Sequence, residues 1–404
     1  MVIEYKNLIS NKDLFSDSTD QFLLPFQNII DQGIPNAMCF NFDLIKRERK
    51  KAINPMLQLA TPDDAKAIVD IYLDIYKGTY PYKEMENVSE IRRMIKSSNY
   101  RWLLFKDSNT NKIRGCFTYQ LDFKNKRGYM RGFNIPPRYQ GKIDSMKALI
   151  GSMIRIWSEL KNKIFIWYSE NRTAHTSSQY LANVCGIKPI AFLPNKDVFF
   201  NKVESDIMQI AYDSKVLNLN RSKLIPKIIP SVMYYYDYSN RRYNLGKIDL
   251  SSLKLKINFQ KTKKLKTEII ISVQKLKFDY FNIELSFEKS DNYFKFLYNP
   301  RVNNIEKTEY EIDSLEELFV FILKFKQLIS YLKIRYCEVF VSAYKPSHQQ
   351  LFYNFGLRPR GYIPSWQYNP DSDVFEDYII FNLYVGTLND IKLIDQAKQL
   401  VNIL

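Results

Sequence analysis

Cysteine and histidine are scarce in this chain of 404 residues, which has four of the first and two of the second. Cys39, Cys116, Cys185 and Cys337 lie far apart and form no C-x-x-C pair. That spacing argues against a disulfide framework and, with so few histidines, against a zinc site. We therefore expect no metal cofactor, and the isolated thiols favour a cytoplasmic protein.

Long apolar runs are also lacking. No segment approaches the roughly 18 apolar residues that span a bilayer, and Glu4 and Lys6 break the order typical of a signal peptide. No membrane partner is expected.

Acidic residues are fewer than basic ones, 43 against 59, for a net charge of +16. The excess lysines are dispersed, so a solvated surface is favoured over nucleic-acid binding, although a positive field suits an anionic ligand.

What the chain does contain is a nine-residue phrase that occurs twice. Gly186-Ile187-Lys188-Pro189-Ile190-Ala191-Phe192-Leu193-Pro194 returns 170 positions later as Gly356-Leu357-Arg358-Pro359-Arg360-Gly361-Tyr362-Ile363-Pro364. Each copy follows a helix-like segment near one of the two histidines, His175 and His348, and precedes a β-rich run. The repetition predicts two copies of one α/β unit.

The length suits two domains of roughly 150 residues with extensions. The predicted division is an N-terminal extension at 1–55, a first domain at 56–212, a linker at 213–230, a second domain at 231–386 and a C-terminal helix at 387–404. Strands are predicted at Leu253–Phe259 and at the tyrosine cluster Tyr234–Tyr238, among others.

One segment is a candidate for ligand binding. Pro137-Arg138-Tyr139-Gln140-Gly141-Lys142 lies between a predicted strand, Tyr129–Ile135, and a predicted long helix, Asp144–Leu160. A tight turn of this kind presents backbone N–H groups at a helix N-terminus, which is an anion site. Arg138 and Lys142 add positive charge. A purely structural turn is the alternative.

Three segments match a single family pattern. Ala60-Thr61-Pro62-Asp63 opens the first helix, Ile135 to Lys142 matches V-x-P-x-Y-(R/Q)-G-K, and Leu181 to Ile187 ends a later helix before a glycine. With the order of elements, they resemble the GNAT N-acetyltransferase superfamily. The resemblance covers about 56–212, and 231–386 as a diverged second copy. It implies a mixed α/β (α+β) fold: two GNAT-like domains, each a mostly antiparallel sheet with a V-shaped strand split, flanked by helices.

The resemblance also implies a cofactor and its contacts. Acetyl-CoA would be the acyl donor, lying between the fourth and fifth strands, and an amine, on a small molecule or a protein, the acceptor. Backbone groups of Phe133, Asn134 and Ile135 would pair with its pantetheine arm. The other expected cofactor contacts are Arg138, Tyr139, Gln140, Gly141, Lys142, Ile143, Asp144, Ser145 and Ser178.

Several positions depart from the family pattern. Ile143 and Ser145 replace small residues of the glycine motif, and Ala182 stands where a tyrosine often acts as general acid. The fourth strand offers no carboxylate. Glu170, after the fifth strand, and His175 are therefore the catalytic candidates. Glu170 would be the general base, and His175 is aligned with an asparagine that often contacts the cofactor. A solvated loop carboxylate and a helix-start residue are the respective alternatives.

Acceptor contacts are expected from Tyr80, Tyr82 and Glu84, between the first two helices, with core packing as the alternative. The second copy has no equivalent of the Pro137–Lys142 turn: Asn299–Asn304, before the helix predicted from Ser314, lacks the same spacing. We therefore expect the second copy not to bind the cofactor. The leading hypothesis is an acyl-CoA-dependent N-acyltransferase. A non-catalytic acyl-CoA or ligand-binding protein is the alternative, followed by a basic nucleic-acid-binding protein; the oligomeric state stays open.

Overall fold

A computed structural model describes residues 2–4, 16–41, 52–288, 290–389 and 391–401. By their contacts the residues divide into two compact units. The first comprises Met1–Pro189, Phe199–Asn201 and Met208–Leu219, and the second comprises Ile190–Val198, Lys202–Ile207 and Asn220–Leu404. Lys6 lies outside the described residues, as does the segment 46–51, which contains five basic residues and one glutamate.

The first unit contains both strands and helices. Its strands are β1 (Val2–Glu4), β2 (Ala37–Asn41), β3 (Pro55–Leu59), β4 (Tyr100–Asp107), β5 (Ile113–Asp122), β6 (Arg127–Asn134), β7 (Ile166–Arg172) and parts of β8 (Lys188–Phe199) and β9 (Lys202–Tyr212). Its helices are α1 (Thr19–Leu23), α2 (Gln27–Asp31), α3 (Ala65–Tyr76), α4 (Val88–Lys96), α5 (Ser145–Leu160), α6 (Ser177–Val184) and α7 (Ser214–Asn218).

The strands of this unit lie in the order β1-β2-β3-β4-β5-β6-β7-β9. Neighbours from β2 to β6 are antiparallel, whereas β1 with β2 and β6 with β7 are parallel. One apolar cluster joins α5 to one face of the sheet, and a second joins α3 and α4 to the other. The expected mixed α/β fold with flanking helices is confirmed.

Local sequence explains where the first helical segment begins. Thr61 and Asp64 form a capping box: the Thr61 amide donates to Asp64 Oδ2 at 2.8 Å. Pro62 occupies the first turn, where its missing N–H costs nothing. A 3-10 turn at Pro62–Asp64 leads into α3, as the sequence predicted.

The second unit is richer in strands. Besides parts of β8 and β9 it contains β10 (Lys227–Ile228), β11 (Asp249–Leu250), β12 (Ile269–Lys275), β13 (Phe281–Phe287), β14 (Ser290–Asn299), β15 (Asn304–Glu311), β16 (Tyr336–Ser342), β17 (Arg358–Asn369) and β18 (Val374–Tyr384). Its helices are α8 (Met233–Tyr243), α9 (Phe259–Glu268), α10 (Leu315–Tyr331), α11 (Pro346–Asn354) and α12 (Asp395–Lys398).

The strand order here is β8-β17-β18-β16-β15-β14-β13-β12, with β15 and β16 parallel and the other neighbouring strands antiparallel. The two copies of the repeated phrase meet in this unit, where Ala191 of β8 pairs with Gly361 of β17. A Cβ at Gly361 would lie 2.5 Å from Ala191 Cβ. Glycine is required there because a side chain would collide with the partner strand.

Three sequence predictions for the second unit are wrong. Leu253–Phe259 is not a strand: residues 251–258 are irregular and α9 begins at Phe259. The tyrosine cluster is helical, in α8, because its rings pack on β17; Tyr236 lies edge-on to Tyr362 at 5.0 Å. Asn299–Asn304 is the β14–β15 turn, not a strand-to-helix joint, since the sequence reading missed β15.

The remaining segments of the predicted division contain short elements. The 1–55 segment holds β1, β2, α1 and α2, and the 213–230 segment holds α7 and β10. Within 387–404, the described residues form a helix at Asp395–Lys398.

Candidate functional site

The sheet of the first unit splits between β6 and β7. The two strands pair in parallel at Arg127↔Ile166, Gly128↔Trp167 and Tyr129↔Tyr168, and no pairing between them follows among the described residues. Yet β6 continues to Asn134 and β7 to Arg172. The strands therefore part into a V with backbone edges available for a strand-like ligand.

A bulge on β6 lies at this split. Cys116 pairs with Asn134 and Thr118 with Arg131, so Phe117 of β5 faces two residues, Gly132 and Phe133. Gly132 has φ +64°, and a Cβ there would lie 2.1 Å from Tyr72 Oη. Only glycine fits this position, and the bulge redirects the backbone at the mouth of the split.

The candidate phosphate turn follows β6. Pro137–Tyr139 form a 3-10 turn, and Gly141 has φ +74° with nothing within 4 Å of a Cβ placed on it. The surface above Gly141 is therefore open. Arg138 is exposed and pairs with Asp74 at 2.8 Å, and Lys142 is exposed.

Most backbone N–H groups of this turn already have partners. The amides of Gln140, Lys142 and Ile143 donate to carbonyls within the turn, at 3.0 to 3.3 Å. The Asp144 amide donates to Ile53 O at 3.0 Å, and Ile53 donates back to Lys142 O at 2.7 Å. The segment preceding β3 therefore lies on the turn.

The carboxylate of Asp144 caps the N-terminus of α5. Asp144 Oδ1 accepts hydrogen bonds from the amides of Met146 and Lys147, both at 3.1 Å. A carboxylate at this position satisfies the exposed amides and interacts favourably with the helix dipole. An aspartate immediately before a helix is an N-cap signal, so the sequence could have revealed that these donors are engaged.

The other expected cofactor contacts are divided between the core and the surface. Phe133 packs on Phe105 and Phe117, and Ile135 is buried. The Asn134 side chain accepts a hydrogen bond from Tyr76 at 3.2 Å, so only the backbones of these residues face the split. Ser178 lies in the first turn of α6, half-buried.

Tyr139 lies against arginine. Its hydroxyl accepts a hydrogen bond from Arg114, whose guanidinium lies 4.4 Å from the ring centroid. Hydrogen bonding by Arg138, and then the charge and bonding of Arg114, lower the pKa of the Tyr139 hydroxyl. Gln140 is exposed and its side chain donates to Ile135 O at 3.1 Å, which ties the turn to the end of β6.

The predicted acceptor residues gather on the α3–α4 face. Tyr80 is buried against Tyr72 and Tyr76, with ring centroids 5.0 and 4.5 Å away. Tyr82 lies under the Arg131 guanidinium at 4.9 Å. Glu84 is half-buried and close enough to Arg131 to interact with its charge. The structure therefore brings Tyr80, Tyr82 and Glu84 together around an arginine that the sequence reading missed.

Glu170 lies on β7 beyond the last paired residue. Its Oε2 accepts a hydrogen bond from the Tyr129 hydroxyl at 3.1 Å, and Tyr129 stacks on Tyr168 at 4.8 Å. Alternation along the strands places Glu170 on the same face as Tyr129 and Arg131. His175 is exposed in the loop before α6, where its carbonyl accepts from Gln179 at 3.3 Å.

Tyr72 also escaped the sequence reading. It is buried, and its hydroxyl, beside Gly132, has no hydrogen-bond partner among the described residues. Burial, and then the neighbouring Tyr80, raise the pKa of Tyr72 well above its ordinary value. The residue is therefore a neutral hydrogen-bond donor at neutral pH. The only sequence signal was its helical spacing, which indicated core.

His348, the histidine near the second copy of the repeated phrase, has a tyrosine partner in the second unit. Tyr310 of β15 hydrogen-bonds His348 Nδ1 at 3.2 Å; the His348 side chain is buried and Tyr310 is half-buried. Burial, and then Lys345, lower the pKa of His348 to about 4. Only three residues join β15 to α10, and the Asp313 and Ser314 amides donate to Glu317 Oε2 at 2.9 and 3.0 Å.

No protein-family model and no curated protein matches this sequence. Solved structures similar to part of it are spermidine N-acetyltransferases. A point mutant of the Vibrio cholerae enzyme SpeG matches with 16% identity and a TM-score of 0.33, over 41% of this chain and 96% of that chain. The dodecameric Vibrio cholerae enzyme in an intermediate state gives 15% identity and a TM-score of 0.34, over 41% and 96%.

A third solved structure, of Vibrio cholerae spermidine/spermine N-acetyltransferase in complex with manganese ions, is 15% identical with a TM-score of 0.33, over 41% and 95%. Among the residues described in our structure, no three His, Cys, Asp or Glu side chains are grouped so as to hold a metal. Over the same residues, no helix has the length and apolar character to cross a membrane. At such low similarity, functional conclusions depend on the site itself.

Proposed function

We propose that this chain is an acyl-CoA-dependent N-acyltransferase whose active site is the split between β6 and β7. The observation that carries the proposal is the parting of these parallel strands directly after Tyr129↔Tyr168, with a bulge at Gly132. The exposed backbone of β6 can pair with an extended amide-containing arm as an added strand would. Acetyl-CoA is the donor implied by the sequence resemblance.

The residues present fit this donor unevenly. The pantetheine arm fits the β6 edge at 133–135, because the side chains there face the core or α3 and leave the backbone to the ligand. At the phosphate end, Asp144 and the turn carbonyls engage most of the amides. Phosphates would be held by the Gly141 backbone, which is open, and by the exposed side chains of Arg138 and Lys142.

The bound donor would supply an acyl group as a thioester at the bulge. The chain's own groups there have distinct abilities. The Tyr72 hydroxyl, neutral and unpartnered, can donate a hydrogen bond or a proton beside Gly132. The Glu170 carboxylate, oriented by Tyr129, can accept a proton from an amine. Tyr80 and Tyr82 form an aromatic wall on the acceptor side.

Calorimetric titration with acetyl-CoA tests the proposal. We expect micromolar binding that Gly141→Trp abolishes, since the indole would occupy the open surface above the turn. Gly33→Trp is the matched control: Gly33 also has a positive φ, +82°, and open space around its Cβ. Loss of binding in both variants, or in neither, contradicts the site assignment, provided circular dichroism shows each variant folded.

A non-catalytic ligand-binding role is the second candidate. The observation that favours it is Ala182 of α6, which stands where a tyrosine often acts as general acid in the family that the sequence resembles. Thiol release from acetyl-CoA in the presence of amines separates the two roles. Acetyl-CoA binding without thiol release for any tested amine supports the binding role.

A further inference from the structure

Arg131 is a half-buried cation, and two of its guanidinium nitrogens lack hydrogen-bond partners among the described residues. Its Nε and Nη2 atoms are inaccessible to solvent and have no hydrogen-bond partner among the described residues. The guanidinium lies between two rings, 4.9 Å from the Tyr82 centroid and 5.7 Å from that of Tyr129. Aromatic faces stabilise a cation but accept no strong hydrogen bonds. The guanidinium therefore retains donors for an acceptor that the described part of the chain does not supply.

Two further donors lie in a row with Arg131. Trp102 of β4 pairs with Thr118 of β5, and Thr118 pairs with Arg131 of β6. Cross-strand partners have Cβ atoms about 4.5–5.5 Å apart on one face of a sheet. Trp102 Nε1 and Thr118 Oγ1 are buried, and the described residues contain no hydrogen-bond partner for either.

Tyr72 adds a fourth group on the same side of the sheet. It belongs to the apolar cluster that contains Trp102, and its hydroxyl also lacks a partner within the described part of the chain. Indole and guanidinium N–H groups can only donate, and the two hydroxyls can donate. Buried polar groups are normally satisfied, so four unsatisfied donors in one place indicate a missing acceptor-rich group.

Carboxylates lie nearby. Glu84 interacts with the charge of Arg131 from the loop between α3 and α4, and Glu170 lies on β7, bound by Tyr129. The two carboxylates can bind the positively charged end of a ligand, and the row of donors can bind its negatively charged end. Together they form a site suited to a molecule that carries both charges.

We propose that the acceptor is an amine that also carries a carboxylate, with Arg131 as the residue that selects it. This inference depends on the proposed N-acyltransferase function, since it assigns the acceptor of that reaction. The carboxylate binds the Arg131 guanidinium, with Thr118 and Trp102 alongside. The ammonium group lies toward Glu170. A polyamine such as spermidine offers nothing to the row of donors, and its positive charges are repelled by Arg131.

Calorimetry without any acyl donor tests the selection directly. The probes are matched pairs that differ by one carboxylate: L-phenylalanine with phenethylamine, and γ-aminobutyrate with butylamine, together with spermidine. We expect at least one carboxylated probe to bind about tenfold more tightly than its partner amine, since hydrogen bonds to a charged group are strong. Spermidine should bind more weakly than that probe.

Arg131→Gln should remove the difference within the pair, and Arg131→Lys, which keeps the charge but not the planar fork, should keep part of it. Arg127→Gln is the matched control, because Arg127 lies on the same strand but pairs with Asp122 at 3.2 Å. It should keep the full difference. Circular dichroism confirms the fold of each variant.

Equal binding within both pairs, tighter binding of spermidine, or no binding of either carboxylated probe overturns the inference. So does a difference that survives in Arg131→Gln. Failure of the proposed function has another signature: acetyl-CoA does not bind, whatever the probes do. The donor titration and the probe titrations are therefore read separately.

Discussion

Replacing Asp144 with asparagine should strengthen acetyl-CoA binding without unfolding the protein. The Asp144 carboxylate now accepts hydrogen bonds from the amides of Met146 and Lys147, both at 3.1 Å, at the start of α5. A phosphate that approaches the turn meets this negative charge. Asparagine caps helices about as well as aspartate, so the cap is preserved while the charge is removed.

The size of the effect follows from the geometry. A unit charge near the protein surface, several ångströms from a phosphate, interacts with it by about 1 kcal/mol, which corresponds to about fivefold in affinity. Asp144→Ala should strengthen binding further, because two amides lose their partner. Loss of the cap should cost about 1 kcal/mol, which lowers the melting temperature of a unit this size by about 2–4 °C.

Calorimetric titrations of acetyl-CoA at low and high salt measure both effects, since the electrostatic gain should shrink as salt rises. Asp213→Asn is the matched control: Asp213 caps α7 through the Lys215 amide at 3.0 Å and should leave donor affinity unchanged. Unchanged or weaker binding in Asp144→Asn would refute the idea that phosphates lie at the start of α5.

Three further predictions concern Gly132, Tyr72 and His348. Gly132→Ala should destabilise the protein by about 1–3 kcal/mol, because its Cβ would lie 2.1 Å from Tyr72 Oη; chemical denaturation should show a smaller cost when Tyr72→Phe is also present. Tyr72→Phe alone should leave the melting temperature unchanged or higher, since it removes a buried unpartnered hydroxyl, while thiol release falls; normal turnover would refute the donor role. Burial lowers the pKa of His348 to about 4 in the folded protein. Between pH 6.5 and 4 the unfolded chain therefore binds more protons than the folded one, and the free energy of unfolding should fall by up to about 3 kcal/mol as the pH drops through that window. His348→Phe should flatten that pH dependence and His175→Gln, at the exposed histidine, should not.

Local signals predicted the starts of helices well. Thr61 with Asp64, and Ser314 with Glu317, form capping boxes in which side chains bond backbone groups three residues away. Such contacts need only neighbouring residues, so the sequence shows them directly. The aspartate before α5 is the same kind of signal, and Asp144 is indeed the N-cap, although the family resemblance implied a cofactor contact there.

Long-range packing overrode local preference elsewhere. The tyrosines of α8 favour strands by propensity, yet they form a helix because their rings are buried against β17, where Ser239 also donates to Tyr362 O at 2.7 Å. The strand β15 was missed because its polar residues, such as Glu306 and Lys307, hide the alternation that marks a strand.

The sequence by itself determined the α/β class, the turn after β6 and the aromatic character of the segment between α3 and α4. Only the tertiary structure decided that Trp102, Thr118 and Arg131 form a row, because strand register depends on pairings between residues far apart in the chain. It also placed Tyr72 against Gly132 and parted β6 from β7. The surroundings of a side chain depend on the residues that the fold brings next to it. For these side chains the contacting residues lie far away in the chain, so no local sequence pattern indicates them.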